Sequence, residues 1–225
     1  MTAVPTLRIS EIFFSLQGES TRVGLPTVFV RLTGCPLRCV WCDTTYAFSG
    51  GETLPLATIL DRVASFGCPT VCVTGGEPLA QAGCLALLTA LCDAGYSVSL
   101  ETSGALDISQ VDPRVSRIVD IKAPDSGEAE KTRWENLAHL RPTDELKFVL
   151  ASRADYDWAK GILAGRGEKS ALAGRHLDEI CPVLFSPVAD RLPPAQLAEW
   201  ILQDRLPVRF QLQLHKILWG SERGR

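Results

Sequence analysis

Short β-branched runs alternate with helix-patterned stretches along most of the 225 residues, and this alternation restricts the fold more than any other feature. Strand-like segments cover 27–34 (TVFVRLTG), 70–76 (TVCVTGG), 96–104 (YSVSLETSG), 117–124 (RIVDIKAP), 145–151 (ELKFVLA) and 182–188 (PVLFSPV). The alternating VRFQLQLHKIL at 208–218 reads as a closing strand. Between them, 56–67, 83–95, 154–165 and 193–204 carry apolar residues at helical spacing, with glycine stops or an opening proline. Such alternation predicts parallel strands joined by right-handed crossovers. Six or seven strands are too few for a closed eight-fold barrel. The expected fold is therefore α/β, a partial open (β/α) barrel of about six parallel strands, with 1–225 as one domain. The charged, glycine-containing 163–179 reads as a surface excursion.

In barrels of this kind, chemistry collects at the C-terminal ends of the strands. The distinctive polar residues fall there: Gly34 to Cys42, Thr74 to Pro78, Glu101 to Gly104, Lys122 and Ser186. A net charge of −3 offers no basic footprint for nucleic acid. No apolar run approaches the roughly 20 residues of a bilayer span. The N-terminal MTAVPTLRISEIFF lacks a signal-peptide layout. Together these predict a cytoplasmic protein with no nucleic-acid or membrane partner, whose eight cysteines are thiols rather than disulfides.

Three of those thiols, Cys35, Cys39 and Cys42, stand in TGCPLRCVWCDT at C-x3-C-x2-C spacing. Structural zinc generally takes four protein ligands, commonly from two C-x2-C knuckles. Here a fourth would be remote, since the histidines His139, His176 and His215 all lie outside the motif. Three thiolates suit a 4Fe–4S cluster with one iron left open, with the aromatic Trp41 beside it. Cys68 and Cys72 repeat the first spacing without a third partner. Together with Cys84, Cys92 and Cys181 they read as small buried hydrophobes.

The pattern C-x3-C-x2-C with an aromatic before the last cysteine resembles the signature of radical S-adenosylmethionine enzymes. TGGEP (74–78) resembles that family's glycine-rich strand end, which meets the methionine part of the cofactor. The resemblance implies a 4Fe–4S cluster whose open iron chelates S-adenosylmethionine, and homolytic cleavage that yields a radical able to take hydrogen from substrate. Along nearly the whole chain the match narrows to the 7-carboxy-7-deazaguanine synthase family. It is carried by SLQGE, G-x-P, Arg31, GCP with Arg38, WCDT, VTGGEP, LETSG, DIKAP, DELKFV, FSPV and QLQLHKILWG.

That closer resemblance implies conversion of 6-carboxy-5,6,7,8-tetrahydropterin to 7-carboxy-7-deazaguanine and ammonia, a carbon–nitrogen lyase step on the way to queuosine and other deazapurines. It implies substrate contacts from Leu16, Gln17, Gly18, Glu19, Arg31, Thr74 and His215, with Arg31 on the carboxylate. A structural role for His215 is an equal alternative. Cofactor contacts are implied for Trp41, Cys42, Asp43, Gly76, Glu101, Ser103, Asp120, Lys122, Ser186, Pro187 and Val188. Thr44 is implied as a Mg2+ ligand. No side chain is assigned as acid or base. A flavodoxin or ferredoxin-type reductant and a homodimer belong to the same expectation. Two other readings compete: an activase that installs a glycyl radical on a protein, and a zinc-binding interaction module. An activase would need neither LQGE nor a carboxylate-reading Arg31.

Overall fold

The computed structural model describes residues 5–165 and 176–225. The strands β1 (Thr6–Leu16), β2 (Pro26–Leu32), β3 (Glu52–Pro55), β4 (Thr70–Gly75), β5 (Ser97–Thr102), β6 (Ser116–Lys122), β7 (Glu145–Leu150), β8 (Val183–Pro187) and β9 (Arg209–Phe210) form one sheet. Its order is β3-β1-β2-β4-β5-β6-β7-β8-β9. From β2 through β4 to β9 every neighbouring pair is parallel, whereas β1 pairs antiparallel with both β2 and β3. The helices are α1 (Leu56–Ala64), α2 (Cys84–Asp93), α3 (Arg153–Leu163), α4 (Pro194–Asp204) and α5 (Leu214–Trp219).

The alternation along the strands sorts residues between two faces, as the pleat requires. Val28, Val30, Leu32, Val71, Val73, Val98, Leu100, Val119, Ile121, Leu146, Phe148 and Leu150 are buried in one continuous apolar core. Ile59 and Val63 of α1, Leu87, Leu88 and Leu91 of α2, Tyr156 and Ala159 of α3, and Leu197 and Ile201 of α4 join the same core. Each such leucine or isoleucine contributes about 1.5–3 kcal/mol on burial. The intervening positions are Phe29, Arg31, Thr74, Glu101, Asp120, Lys122, Lys147 and Val149, and they line a cavity on the other face. A sheet with one apolar and one polar face thus separates stability from chemistry.

A buried ion pair fixes the opposite, N-terminal end of the parallel strands. Asp144, just before β7, accepts from the Arg117 backbone N–H (3.0 Å) and from its Nε (3.1 Å). Arg117 also donates to the Ile108 carbonyl at 3.0 Å, so its planar fork is well occupied. Burial pushes the Asp144 carboxyl up, but the hydrogen bonds from Arg117 outweigh that and hold it below its ordinary value.

Two elements depart from the sequence expectation. The sheet begins twenty-one residues earlier than TVFVRLTG, with the eleven-residue β1. Its mixed pattern, with Leu7 and Ile9 buried and later positions half-exposed, belongs to an antiparallel strand flanked by the short β3 and interrupted by a register shift between Ile9 and Glu11. The expected strand at 208–218 is confined to Arg209–Phe210; the chain then turns and forms α5. Its alternating pattern found only β8 as a neighbour, over two residue pairs. Beyond it the Leu214 N–H donates to the Gly18 carbonyl (3.0 Å), and Gln213, His215 and Lys216 join the cavity lining. Of the expected excursion at 163–179, residues 166–175 lie outside the described residues. Leu177–Glu179 forms a short helical turn with Leu177 buried. Among the described residues no helix is long and apolar enough to cross a membrane.

Candidate active site

The loop after β2 runs across the C-terminal ends of the strands and is tied down mainly by backbone groups. Gly34 N–H donates to Ala47 O (2.7 Å), Val40 N–H to Ser126 O (3.0 Å) and Cys42 N–H to Cys39 O (3.2 Å). Arg38 supports the loop from outside: its Nη1 donates to the carbonyls of Cys35 (2.8 Å) and Leu37 (2.6 Å), and its guanidinium lies 4.3 Å from the centre of the Phe48 ring. Leu37 is buried and anchors the middle. Cys35, Cys39 and Cys42 are left half-buried and all three line the cavity. The other five cysteines are not among its lining residues. Burial pushes the thiols of Cys35 and Cys39 up from their ordinary value. Among the described residues no three His, Cys, Asp or Glu side chains converge on a point fit for a single metal ion.

The end of β4 abuts this loop. Glu77 N–H donates to Gly34 O (2.8 Å), and a Cβ on Gly76 would stand 2.3 Å from that same oxygen and 2.8 Å from Cys35 Cβ. Only glycine permits this approach. Glu77 is wholly buried and accepts from Leu79 N–H (3.0 Å), Thr102 Oγ1 (2.9 Å), Ser103 N–H (2.7 Å) and Ser103 Oγ. One carboxylate therefore locks the ends of β4 and β5 together.

The cavity floor is a charged network. Lys147 Nζ donates to Glu19 Oε2 (2.6 Å) and lies 3.4 Å from Asp120 Oδ2, while Lys122 Nζ stands 3.0 Å from the same Asp120 oxygen. Gln213 Nε2 donates to Glu19 Oε1 at 2.6 Å. Burial pushes the carboxyls of Glu19 and Asp120 up, but the lysines outweigh it and hold both below their ordinary range. The opposite balance raises Lys147 and Lys122, despite their burial. All four groups are ionised at neutral pH. Asp120 Oδ1 is buried with no hydrogen-bond partner, an acceptor left for a ligand.

Elsewhere on the cavity wall, Thr74 Oγ1 donates to Glu101 Oε2 (2.9 Å) and Gln17 Nε2 to Glu101 Oε1 (3.3 Å). Arg31 donates through Nε to Glu11 Oε1 (2.7 Å), and Tyr46 OH donates to that same oxygen (2.8 Å). The guanidinium carbon also lies 5.9 Å from the ring centres of both Phe13 and Tyr46. With Nε engaged, the two terminal nitrogens of Arg31 stay available to a ligand carboxylate. His215 packs so tightly on Gly18 that a Cβ there would lie 2.2 Å from its Nδ1. Burial lowers the His215 pKa, so the ring is neutral at pH 7.

Nearly all the residues singled out from the sequence line this one cavity: Leu16, Gln17, Gly18, Glu19, Arg31, Cys35, Cys39, Trp41, Cys42, Asp43, Thr44, Thr74, Gly76, Glu101, Ser103, Asp120, Lys122, Val188 and His215. Ser186 and Pro187 are buried in β8 and do not reach its wall. Lys147, Gln213 and Lys216 line it without having been singled out. Lys147 left one usable signal. In ELKFVL, Glu145 and Lys147 take alternate positions of a strand that is otherwise apolar, so both belong to one polar face. Gln213 and Lys216 fall within QLQLHKILWG, but their segment read as a strand and only His215 was singled out from it. The cavity measures about 310 Å3, the scale of a small-molecule site.

Three thiols of one loop at the ends of parallel strands, beside a glycine-rich second strand end, define a radical S-adenosylmethionine enzyme. Residues 29–120 match the family model for the Radical SAM superfamily. The chain is 50% identical over 225 residues to the 7-carboxy-7-deazaguanine synthase of Chlorobaculum tepidum, covering 99% of this chain and 98% of that one. It is 40% identical to the enzyme of the same description from Koribacter versatilis, covering 96% and 98%. The crystal structure of QueE from Escherichia coli shares the fold, with a TM-score of 0.69 at 23% identity over 93% of this chain and 95% of that one. The chain belongs to the 7-carboxy-7-deazaguanine synthase family.

Its residues fit the family's two resident groups. The half-buried thiols of Cys35, Cys39 and Cys42, all lining one cavity, fit a cluster held by three protein ligands. The unpartnered Asp120 Oδ1 offers an acceptor, and Gly75 and Gly76 line the cavity with backbone, which fits S-adenosylmethionine.

Proposed function

We propose that the chain converts 6-carboxy-5,6,7,8-tetrahydropterin to 7-carboxy-7-deazaguanine and ammonia within a single 1–225 domain. The observation that carries this is the shared cavity: Cys35, Cys39 and Cys42 line the same space as Arg31, Glu19 and Gln17. When bound, the cluster and S-adenosylmethionine supply a radical able to remove a hydrogen atom from substrate.

The chain's own residues bind, orient and shield. Arg31 offers its two terminal nitrogens to the pterin carboxylate as a planar fork. Glu19, kept ionised by Lys147, accepts from ring N–H groups, and Gln17, Thr74 and the backbone of Leu16 and Gly18 complete the polar frame. His215, neutral and packed on Gly18, closes this side against water. Trp41, Cys42, Asp43, Gly76, Glu101, Ser103, Asp120, Lys122 and Val188 frame the cofactor, with Ser186 and Pro187 acting from behind through β8. Lys122 and Lys147 together neutralise Asp120 and Glu19, so the floor presents paired rather than bare charge.

Thr44 is the Mg2+ position in this scheme. Its Oγ1 lies 3.8 Å from Cys42 Sγ, and the adjacent Asp43 carboxylate is engaged by Lys216 (3.2 Å). One hydroxyl is a sparse site for a hard cation, so substrate and water oxygens provide the rest. Thr44→Ala then shifts the Mg2+ dependence of turnover to higher concentration while S-adenosylmethionine cleavage persists. An unshifted Mg2+ titration removes Thr44 from the ligand set. A flavodoxin or ferredoxin-type reductant, a homodimer and a cytoplasmic setting complete the proposal.

The test is anaerobic reconstitution followed by incubation with S-adenosylmethionine, a reductant and the carboxypterin. A deazapurine product with release of ammonia supports the assignment. Cofactor cleavage with no deazapurine at any substrate concentration returns the activase reading, and a colourless zinc-bound preparation returns the interaction module.

A further inference from the structure

Lys147 stands between the two halves of the cavity. Its ammonium is the only described charged partner within 4 Å of the Glu19 carboxylate, at 2.6 Å, and it reaches Asp120 at 3.4 Å. The side chain is about nine-tenths buried and emerges from the middle of β7, a strand fixed on both edges by β6 and β8. Glu19 by contrast sits on the irregular segment between β1 and β2, far from Lys147 in sequence. Apart from Lys147, Glu19 is held by the Gln213 amide and its own turn: Gln17 Oε1 accepts from Glu19 N–H at 3.2 Å. The other charged groups bearing on this carboxylate and its partner are Asp120 and Lys122 on β6, Glu101 on β5, Asp43 on the cluster loop and Lys216 on α5; His215 on α5 is neutral. Lys122 is already engaged by Asp120. Without the Lys147 ammonium, Asp120 keeps Lys122 at 3.0 Å, while Glu19 is left a buried carboxylate with no described cation within 4 Å.

Resting on the placement of substrate against Glu19 proposed above, we propose that Lys147 is a positioning residue. It holds the Glu19 carboxylate in the orientation that receives the substrate ring, and it ties that carboxylate to Asp120 on the cofactor side. A strand-borne cation thereby transfers the rigidity of the sheet to a substrate contact on a loop. Lys147 acts through Glu19 and has no direct role on the substrate.

A double-mutant cycle separates this from general loss of structure. Affinity for 6-carboxy-5,6,7,8-tetrahydropterin is measured anaerobically on cluster-loaded, S-adenosylmethionine-bound protein. The proteins are the parent, Lys147→Met, Glu19→Gln and the double variant, with iron content and circular dichroism as controls. Lys147→Met is expected to weaken substrate binding by about 30-fold or more, the scale for breaking a buried charge pair. In the Glu19→Gln background the same change should add less than about threefold, because the group it acts through is already altered. Lys147→Arg should recover a large part of the loss. Lys147→Gln replaces Lys147→Met in the cycle if the latter does not fold.

Parent-like affinity in Lys147→Met, with Glu19→Gln weakened, overturns the inference and leaves the substrate assignment standing. Full additivity in the double variant also overturns it. Parent-like affinity in Glu19→Gln instead overturns the substrate placement itself.

Discussion

Arg31 shows how a single residue is readied for a ligand. It sits in the otherwise apolar strand PTVFVRL, where a solvated surface arginine is hard to place, and that made it legible in the sequence. What the sequence did not reveal was the pairing with Glu11, twenty positions earlier on an antiparallel neighbour, whose carboxylate takes Nε and leaves the two terminal nitrogens of a cavity-lining residue without a described partner. Burial pushes the Tyr46 hydroxyl, which shares that carboxylate, up to about 12, so it stays a proton donor at any working pH. Arg31→Ala is expected to keep the cluster and lose about 2–5 kcal/mol of carboxypterin binding, or about 30- to several-thousand-fold in Kd. Arg31→Lys should recover only part, since an ammonium lacks the planar fork. Equilibrium binding under anaerobic conditions checks both. Unaltered affinity in Arg31→Ala moves the carboxylate to another cation, with Lys122 the nearest alternative by charge. The cysteines divide as well: Cys39→Ala should abolish the cluster, while Cys72→Ala, buried behind Gln17 and Glu101 and not itself lining the cavity, should leave iron content at the parent value.

At the scale of elements, β/α alternation was readable because each parallel strand is a short apolar run ended by glycine or a polar cluster. The ends of the chain were harder to read. β1 mixes buried and half-exposed positions because one part pairs with β3 and another faces the site, so no clean period of two survives. The 208–218 segment has that period but lacks a neighbour to pair with, and tertiary contacts turned it into a short strand and α5.

Glu77 was legible only as part of TGGEP. Its role, joining the ends of β4 and β5, depends on hydrogen bonds to Thr102 and Ser103 that local sequence cannot reveal. Glu77→Ala leaves several buried donors unmet at about 1–3 kcal/mol each. It should lower the melting temperature and weaken S-adenosylmethionine binding together, which a thermal melt and a cofactor titration check.

At the other end of the strands, Asp144→Ala should cost about 3–5 kcal/mol by stranding Arg117. The folded Asp144 carboxyl titrates below its unfolded value of about 3.9. Its contribution is therefore complete above that value and is lost as pH falls through the lower, folded pKa. Denaturant unfolding of Asp144→Asn between neutral and acid pH should show a shallower acid limb than the parent.

For the whole molecule, the sheet divides labour between its faces. The apolar face carries α1 to α4, whose buried residues join the core. The polar face gathers residues from every parallel strand between β2 and β7 around one cavity. Family membership and fold follow from the shared architecture and the 50% identity to a curated relative. The substrate rests on what the cavity offers beside the cluster thiols, and one measurement tests it most directly. Protein reconstituted with iron and sulfide, held anaerobically with reductant, S-adenosylmethionine and Mg2+, is given 6-carboxy-5,6,7,8-tetrahydropterin, and products are followed by mass spectrometry. The account predicts 7-carboxy-7-deazaguanine and ammonia in equal amounts, formed by the parent and lost in Cys39→Ala. Sustained S-adenosylmethionine cleavage that leaves the carboxypterin unchanged would contradict it.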